Sequence, residues 1–208
     1  MISLLLQPWK NWQAARRERR IDVLTAQAAD LAEGAEVDLF TLHQRGLVSV
    51  QGTGQSIQQI YAKIDNQIRK RLLVVIKPGT YFVSAGNHQN MATRREYRLY
   101  LSSCGSQNVA IDAACINAGR PIPGQRDRFE GVQRVSPEVA HFLQATERSD
   151  PMTIQAGVWA LTDQMSGQQV MSRLVLVDQQ GNRRQAISAG NVTEARQILS
   201  RLGIVNRL

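Results

Sequence analysis

At 208 residues, with 43% hydrophobic and 20% charged residues, the chain has the composition of one well-buried globular domain, or of one domain with an appendage, and disorder is not indicated. Its 25 Lys+Arg against 17 Asp+Glu leave a formal charge of +8, carried mostly by arginine, which favours nucleic acid, anionic lipid or an acidic protein surface as partner. Two cysteines are too few for a disulfide framework and lack zinc-site spacing, and no apolar run approaches the ~20 residues of a membrane helix.

The opening MISLLL is followed by Gln7 and Pro8 and lacks both the leading positive charge and the longer apolar core of an export signal, which leaves the localisation open with the cytoplasm as default. Residues 8–33 read as a helix, with Trp9, Trp12, Ala15, Ile21, Leu24, Ala28 and Leu31 mostly three or four apart and Gly34 placed to end it. Arg16, Arg17, Arg19 and Arg20 lie off that stripe. The expectation is an N-terminal basic amphipathic unit, residues 1–34, that docks on its own domain and offers the arginines to a partner. A helix of this kind can also lie on an anionic membrane surface.

From residue 46 the sequence turns to short segments rich in Val, Ile, Tyr and Phe, and strands are predicted near 47–51, 57–64, 72–76, 81–84, 97–101 and 109–114. Their spacing predicts an antiparallel, immunoglobulin-like β-sandwich over residues 35–135. The run LLVVI, after the polar connection NQIRKR, reads as a strand buried on both faces, and Pro78-Gly79 as a turn. GTGQ at 52–55 lacks the Lys-Ser/Thr ending of a phosphate-binding loop and reads as another turn. Tyr97, Arg98 and Tyr100 alternate as in a half-buried edge strand with a basic rim.

The Gly- and Pro-rich stretch INAGRPIPGQRDRF then reads as a loop. Ser136-Pro137-Glu138 and Asp150-Pro151 are helix starts, each with a capping side chain before a proline. A small hairpin over 174–177 and 186–187, and a last helix capped by Asn191 with an apolar stripe from Val192 to Leu202, complete a helical segment over 136–208. The fold class expected is α+β: the sandwich with helices at either end.

One pair of residues suggests chemistry. A cysteine thiol held against a glutamine carboxamide in a dry pocket can expel ammonia and leave an internal thioester, and Cys115, at a strand end, and Gln155, on a packed helix, meet the residue requirements. The segments ACIN at 114–117, with Pro121 and Pro123 after it, and IQAGVWALTD at 154–163 resemble the paired motifs of bacterial thioester domains. The resemblance implies Cys115 as thioester sulfur, Gln155 as acyl donor, Trp159 as packing, covalent attachment to a partner nucleophile, and an extracellular setting. It covers these two patches only, and Ala114 stands where the family has an aromatic residue.

Other constellations are weaker. His43, His88 and His141 share no metal-ligand spacing, so neither a metal nor a small-molecule cofactor is expected. Cys115 with His141 is an alternative nucleophilic pair without the surrounding motifs of cysteine hydrolases, and a Cys104–Cys115 bridge is open on composition. Asp112, Asp127, Glu130 and Asp163 read as capping and solvated carboxylates. The leading functional expectation is a non-catalytic interaction module of a larger assembly, binding an unidentified protein partner through the Arg-rich helix or the 115–135 loop. A thioester-forming domain, and binding to an anionic surface, are the alternatives.

Overall fold

A computed structural model describes the backbone of residues 7–177 and 179–208, with side chains from residue 9; the reading of residues 1–6 lies outside the described residues. The basic helix, α1 (Gln7–Gln27), ends earlier than its periodicity suggests. Lys70 explains the stop: its ammonium donates to the carbonyls of Ala28, at 2.8 Å, and Leu31, holding the chain as it leaves the last turn. Arg69 completes the clamp, its backbone N–H donating to Thr25 Oγ1 at 3.0 Å and its guanidinium pairing with Asp22 and Glu18. The polar NQIRKR connection is therefore the dock for the C-terminal half of α1, where Ile21 and Ala28 are buried.

After β1 (Ala35–Asp38) and α2 (Leu39–Gln44), capped by Asp38, come β2 (Val48–Ser56), β3 (Gln59–Asn66), β4 (Leu72–Ile76), β5 (Thr80–Ser84), β6 (Asn90–Thr93), β7 (Tyr97–Leu101), β8 (Ser106–Ile116) and β9 (Arg128–Arg134). The expected immunoglobulin-like sandwich is wrong: six of these strands close into an antiparallel barrel in the order β2-β3-β8-β6-β5-β9. Closure depends on β9, which pairs with β2 over Arg128–Glu130 and with β5 out to Arg134. The sequence hid β9 because its inward residues, Phe129 and Val132, are three apart instead of two, with Gly131 at φ +75° between them and a register shift between Phe82 and Ser84 opposite. A bulge of this kind bends a strand as barrel closure requires.

GTGQ is likewise strand and not turn, lying within β2. Gly54 is there for space: a Cβ would lie 2.6 Å from the Gly124 carbonyl and 3.0 Å from Pro123, so only glycine lets the loop after β8 cross the barrel wall at this point. LLVVI forms β4, the middle strand of a separate three-stranded sheet, parallel to β1 and antiparallel to β7, and four of its five side chains are buried. Neither β4 nor β7 belongs to the barrel.

The helical segment contains α3 (Pro137–Ala145), α4 (Pro151–Thr162), α5 (Gly167–Arg173), a hairpin of β10 (Val175–Val177) and β11 (Arg183–Gln185), and α6 (Ala189–Arg201). Ser136 and Asp150 cap α3 and α4 with proline at the first turn, as their sequence indicates. For α6 the cap is Ser188, with Asn191 reaching back in a capping box. The central element is α4, whose residues Thr153 to Ala160 are buried without interruption, as expected of a helix covered on all sides. It lies against β8, α3, α5 and α6. Gly157 gives α3 its close approach, since a Cβ there would meet the Phe142 ring at 2.0 Å.

Candidate functional site: the Cys115–Gln155 bracket

The site is created by a change of partner along β8. Its first residues pair with β3 as far as Asp112, and its last four, Ala113 to Ile116, pair with β6 on the other side. Beyond the end of β3 no strand among the described residues lies beside that edge of β8. The last backbone bond there runs from the Ala113 N–H to the Gln58 carbonyl, 2.8 Å. By the two-residue alternation of a strand, the next groups to face that edge are the N–H and C=O of Cys115. Buried and unpaired, each would be costly.

Gln155 supplies both partners. The Cys115 N–H donates to Gln155 Oε1 at 2.9 Å, and Gln155 Nε2 donates to the Cys115 carbonyl at 2.7 Å. A primary carboxamide carries one acceptor and one donor in a plane, as a peptide does, so the side chain takes the position of a missing strand. The bracket is dry: Cys115 is 0% and Gln155 2% exposed, with Ile154, Val158 and Trp159 buried on the same helix. Trp159 is 1% exposed, and its indole N–H is buried without a hydrogen-bond partner among the described residues.

A second grip, from the other end of α4, escaped a reading that took Asp163 only as a capping carboxylate. Asp163 follows the last turn of α4, and its Oδ1 accepts from the Ala118 N–H at 2.8 Å while Oδ2 accepts from Thr162 Oγ1 at 2.6 Å. Helix α4 thus holds the chain on both sides of the turn at Asn117, whose φ is +67°. The only sequence signal for this was the Thr-Asp that ends the motif carrying Gln155.

The thiol itself points elsewhere. Ile111, Ala113 and Cys115 share the barrel-facing side of β8, and Met91, the cross-strand neighbour of Cys115, puts its Sδ 3.3 Å from Sγ. The Ile57 carbonyl, in the β2–β3 turn, lies 3.7 Å from Sγ on another side. Burial pushes the thiol up to about 12, so at neutral pH sulfur keeps its proton.

The other residues singled out by sequence do not join this site. Cys104 and Cys115 are both free, and Cys104 Sγ lies against the Ile68 carbonyl. His141 is exposed on α3 beside a groove lined by Lys77 and Arg134, and makes no hydrogen bond to Cys115. Asp112 pairs with Arg95, and Asp127 accepts from the Gly124 N–H while facing the buried His88 at 3.7 Å. No cluster of three metal-ligating side chains occurs among the described residues. Arg16, Arg17, Arg19 and Arg20 are all exposed on α1, remote in sequence from the bracket. Among the described residues, no helix is long and apolar enough to cross a membrane. Comparison with models of known protein families, with curated proteins and with solved structures finds no match to this chain.

Proposed function

We propose that this chain is a thioester-forming module. Cys115 Sγ joins the side-chain carbonyl carbon of Gln155, and the stored acyl group is later passed to an amine or hydroxyl of a partner. The observation that carries the reading is the reciprocal hydrogen-bond pair holding the Gln155 carboxamide on Cys115, across 40 residues of sequence, inside the core. The bonds hold the carboxamide on the Cys115 peptide in a buried site, so that once Sγ turns toward it the acyl donor has the proximity and the protection from hydrolysis that an internal thioester needs.

The step balances without an external reagent. The S–C bond forms, the C–N bond breaks, and the thiol proton leaves on nitrogen as ammonia. With the thiol pushed up to about 12 a free thiolate is costly, so the proton must pass to the leaving nitrogen as the S–C bond forms. Sγ must turn from Met91 toward Gln155, and the carboxamide must give up its bond to the Cys115 carbonyl. When an amine later attacks, the S–C bond breaks, sulfur regains a proton, and the side chain of Gln155 becomes a substituted amide. Because Cys115 is wholly buried, that attack requires the barrel to open near the β2–β3 turn.

A non-covalent interaction module, with Gln155 as a purely structural bracket, is the competing reading. It is favoured by the thiol's contact with Met91 on the barrel side. Intact mass of freshly purified, unreduced protein separates the two. A deficit of one ammonia, abolished by methylamine and missing from Cys115→Ala, is the expected result. The unmodified mass in the wild-type chain would sink the thioester and leave the interaction module.

A further inference from the structure

The N-terminal half of α1 is built differently from the half that docks. Every residue from Trp9 to Arg20 is exposed, and burial begins only at Ile21. Trp9 and Trp12 are 58% and 49% exposed, and they stack on one another at 5.7 Å between ring centroids instead of on the body of the protein. Arg16 lies over the Trp12 ring at 5.4 Å. At roughly 100° per residue, Trp9, Trp12, Arg16 and Arg20 fall along one face of the helix, turned well away from the stripe of Ile21 and Ala28.

Charge follows the same division. Residues 9–20 hold Lys10 and Arg16, Arg17, Arg19 and Arg20 against a single carboxylate, Glu18, which pairs with Arg69. Among the described residues none of the other cations has a carboxylate partner; contrast Arg45, Arg69, Arg71 and Arg98, each engaged in an ion pair. In sequence, the apolar hexapeptide MISLLL precedes this stretch.

We infer that residues 9–20 are an anchor for an anionic lipid surface, with the two tryptophans at the level of the headgroups and the arginines against lipid phosphates. Indole rings favour the membrane interface because they are apolar bodies with one polar edge, and clustered arginines beside them supply the attraction to an anionic leaflet. Nucleic acid would use the same cations, but two exposed tryptophans stacked on one another are apolar surface that a lipid interface can bury and a duplex cannot. The lipid anchor is independent of the thioester: it uses neither Cys115 nor Gln155.

The test is co-sedimentation of the full chain with vesicles of phosphatidylcholine alone and of phosphatidylcholine with one-third phosphatidylglycerol, read also by tryptophan emission. Because Trp159 is 1% exposed, a blue shift on binding reports Trp9 and Trp12. Expected are binding to the anionic vesicles only and weakening by salt. Trp9→Ala/Trp12→Ala should lose at least about tenfold in affinity. Replacing Arg16, Arg17, Arg19 and Arg20 by Gln should lose on the order of a hundredfold, taking about fivefold per charge and some compensation. All these positions are exposed, and an unchanged melting temperature verifies the fold of each variant. No binding to anionic vesicles overturns the inference. So does binding that the tryptophan pair does not affect while duplex DNA competes it away, because that result describes a general polyanion surface.

Discussion

Replacing Gln155 by Leu in a Cys115→Ala background isolates the bracket from any covalent bond. In Cys115→Ala the carboxamide keeps both backbone partners, since it bonds the Cys115 peptide and not the sulfur. Leu at 155 is similar in size but neither donates nor accepts, so the N–H and C=O of residue 115 are left buried and unpaired. Each orphan costs about 1–3 kcal/mol, and the more apolar side chain returns about 1 kcal/mol, so the expected loss is about 1–5 kcal/mol. Against the ~5–15 kcal/mol total of a domain this is large. Urea unfolding of Cys115→Ala and Cys115→Ala/Gln155→Leu, compared at equal m-values, measures it. A difference under about 1 kcal/mol would refute the argument that Gln155 completes the barrel edge.

Four further outcomes follow from the structure. As a free thiol Cys115 is buried and pushed up to about 12, so a disulfide reagent at pH 8 should titrate only Cys104 in the folded protein and both thiols in urea. Unfolding lets that thiol ionise from about 8.5, so the unfolded state holds fewer protons; stability is intact below that pH and falls as pH rises toward 12, by up to ~1.4 kcal/mol per unit, as a melting series in alkali would record. Gly54→Ala should lower stability by about 1–3 kcal/mol, because its Cβ meets the backbone of Gly124 and not a movable side chain; an unchanged melting temperature contradicts this. Asp163→Ala removes the acceptor of the Ala118 N–H and should cost about 1–2 kcal/mol, with faster exchange of that amide by NMR.

How much could be read from the sequence depended on whether the signal was local. The starts of α3 and α4 were legible because a cap and a following proline act within one turn, at Ser136 and Asp150. LLVVI was legible as a buried strand because a fully apolar run of five has few other uses. Barrel closure was not, because β9 reveals itself only through partners about 50–80 residues away, and its bulge at Gly131 breaks the alternation that marks a strand. Gly52 and Gly54 looked like turn residues for a related reason: glycine marks both a bend and a close approach, and only the crossing loop at Gly124 decides which. Of the site, the pairing of Cys115 with Gln155 was anticipated as chemistry, whereas the contact found joins carboxamide to backbone.

The partner change along β8 also governs how the molecule comes apart. A barrel whose strands all bonded one another could melt without consulting the helices around it. Here one rung belongs to α4, and the loop leaving β8 is tethered to the far end of the same helix by Asp163. Loss of the helical layer therefore frays the barrel at Cys115, and fraying there strips α4 of two buried polar partners. Strands and helices, although segregated along the chain, are coupled into one cooperative unit: heat or denaturant should give a single transition by both far-ultraviolet and tryptophan signals, and a cut between β9 and α3 should leave neither half folded.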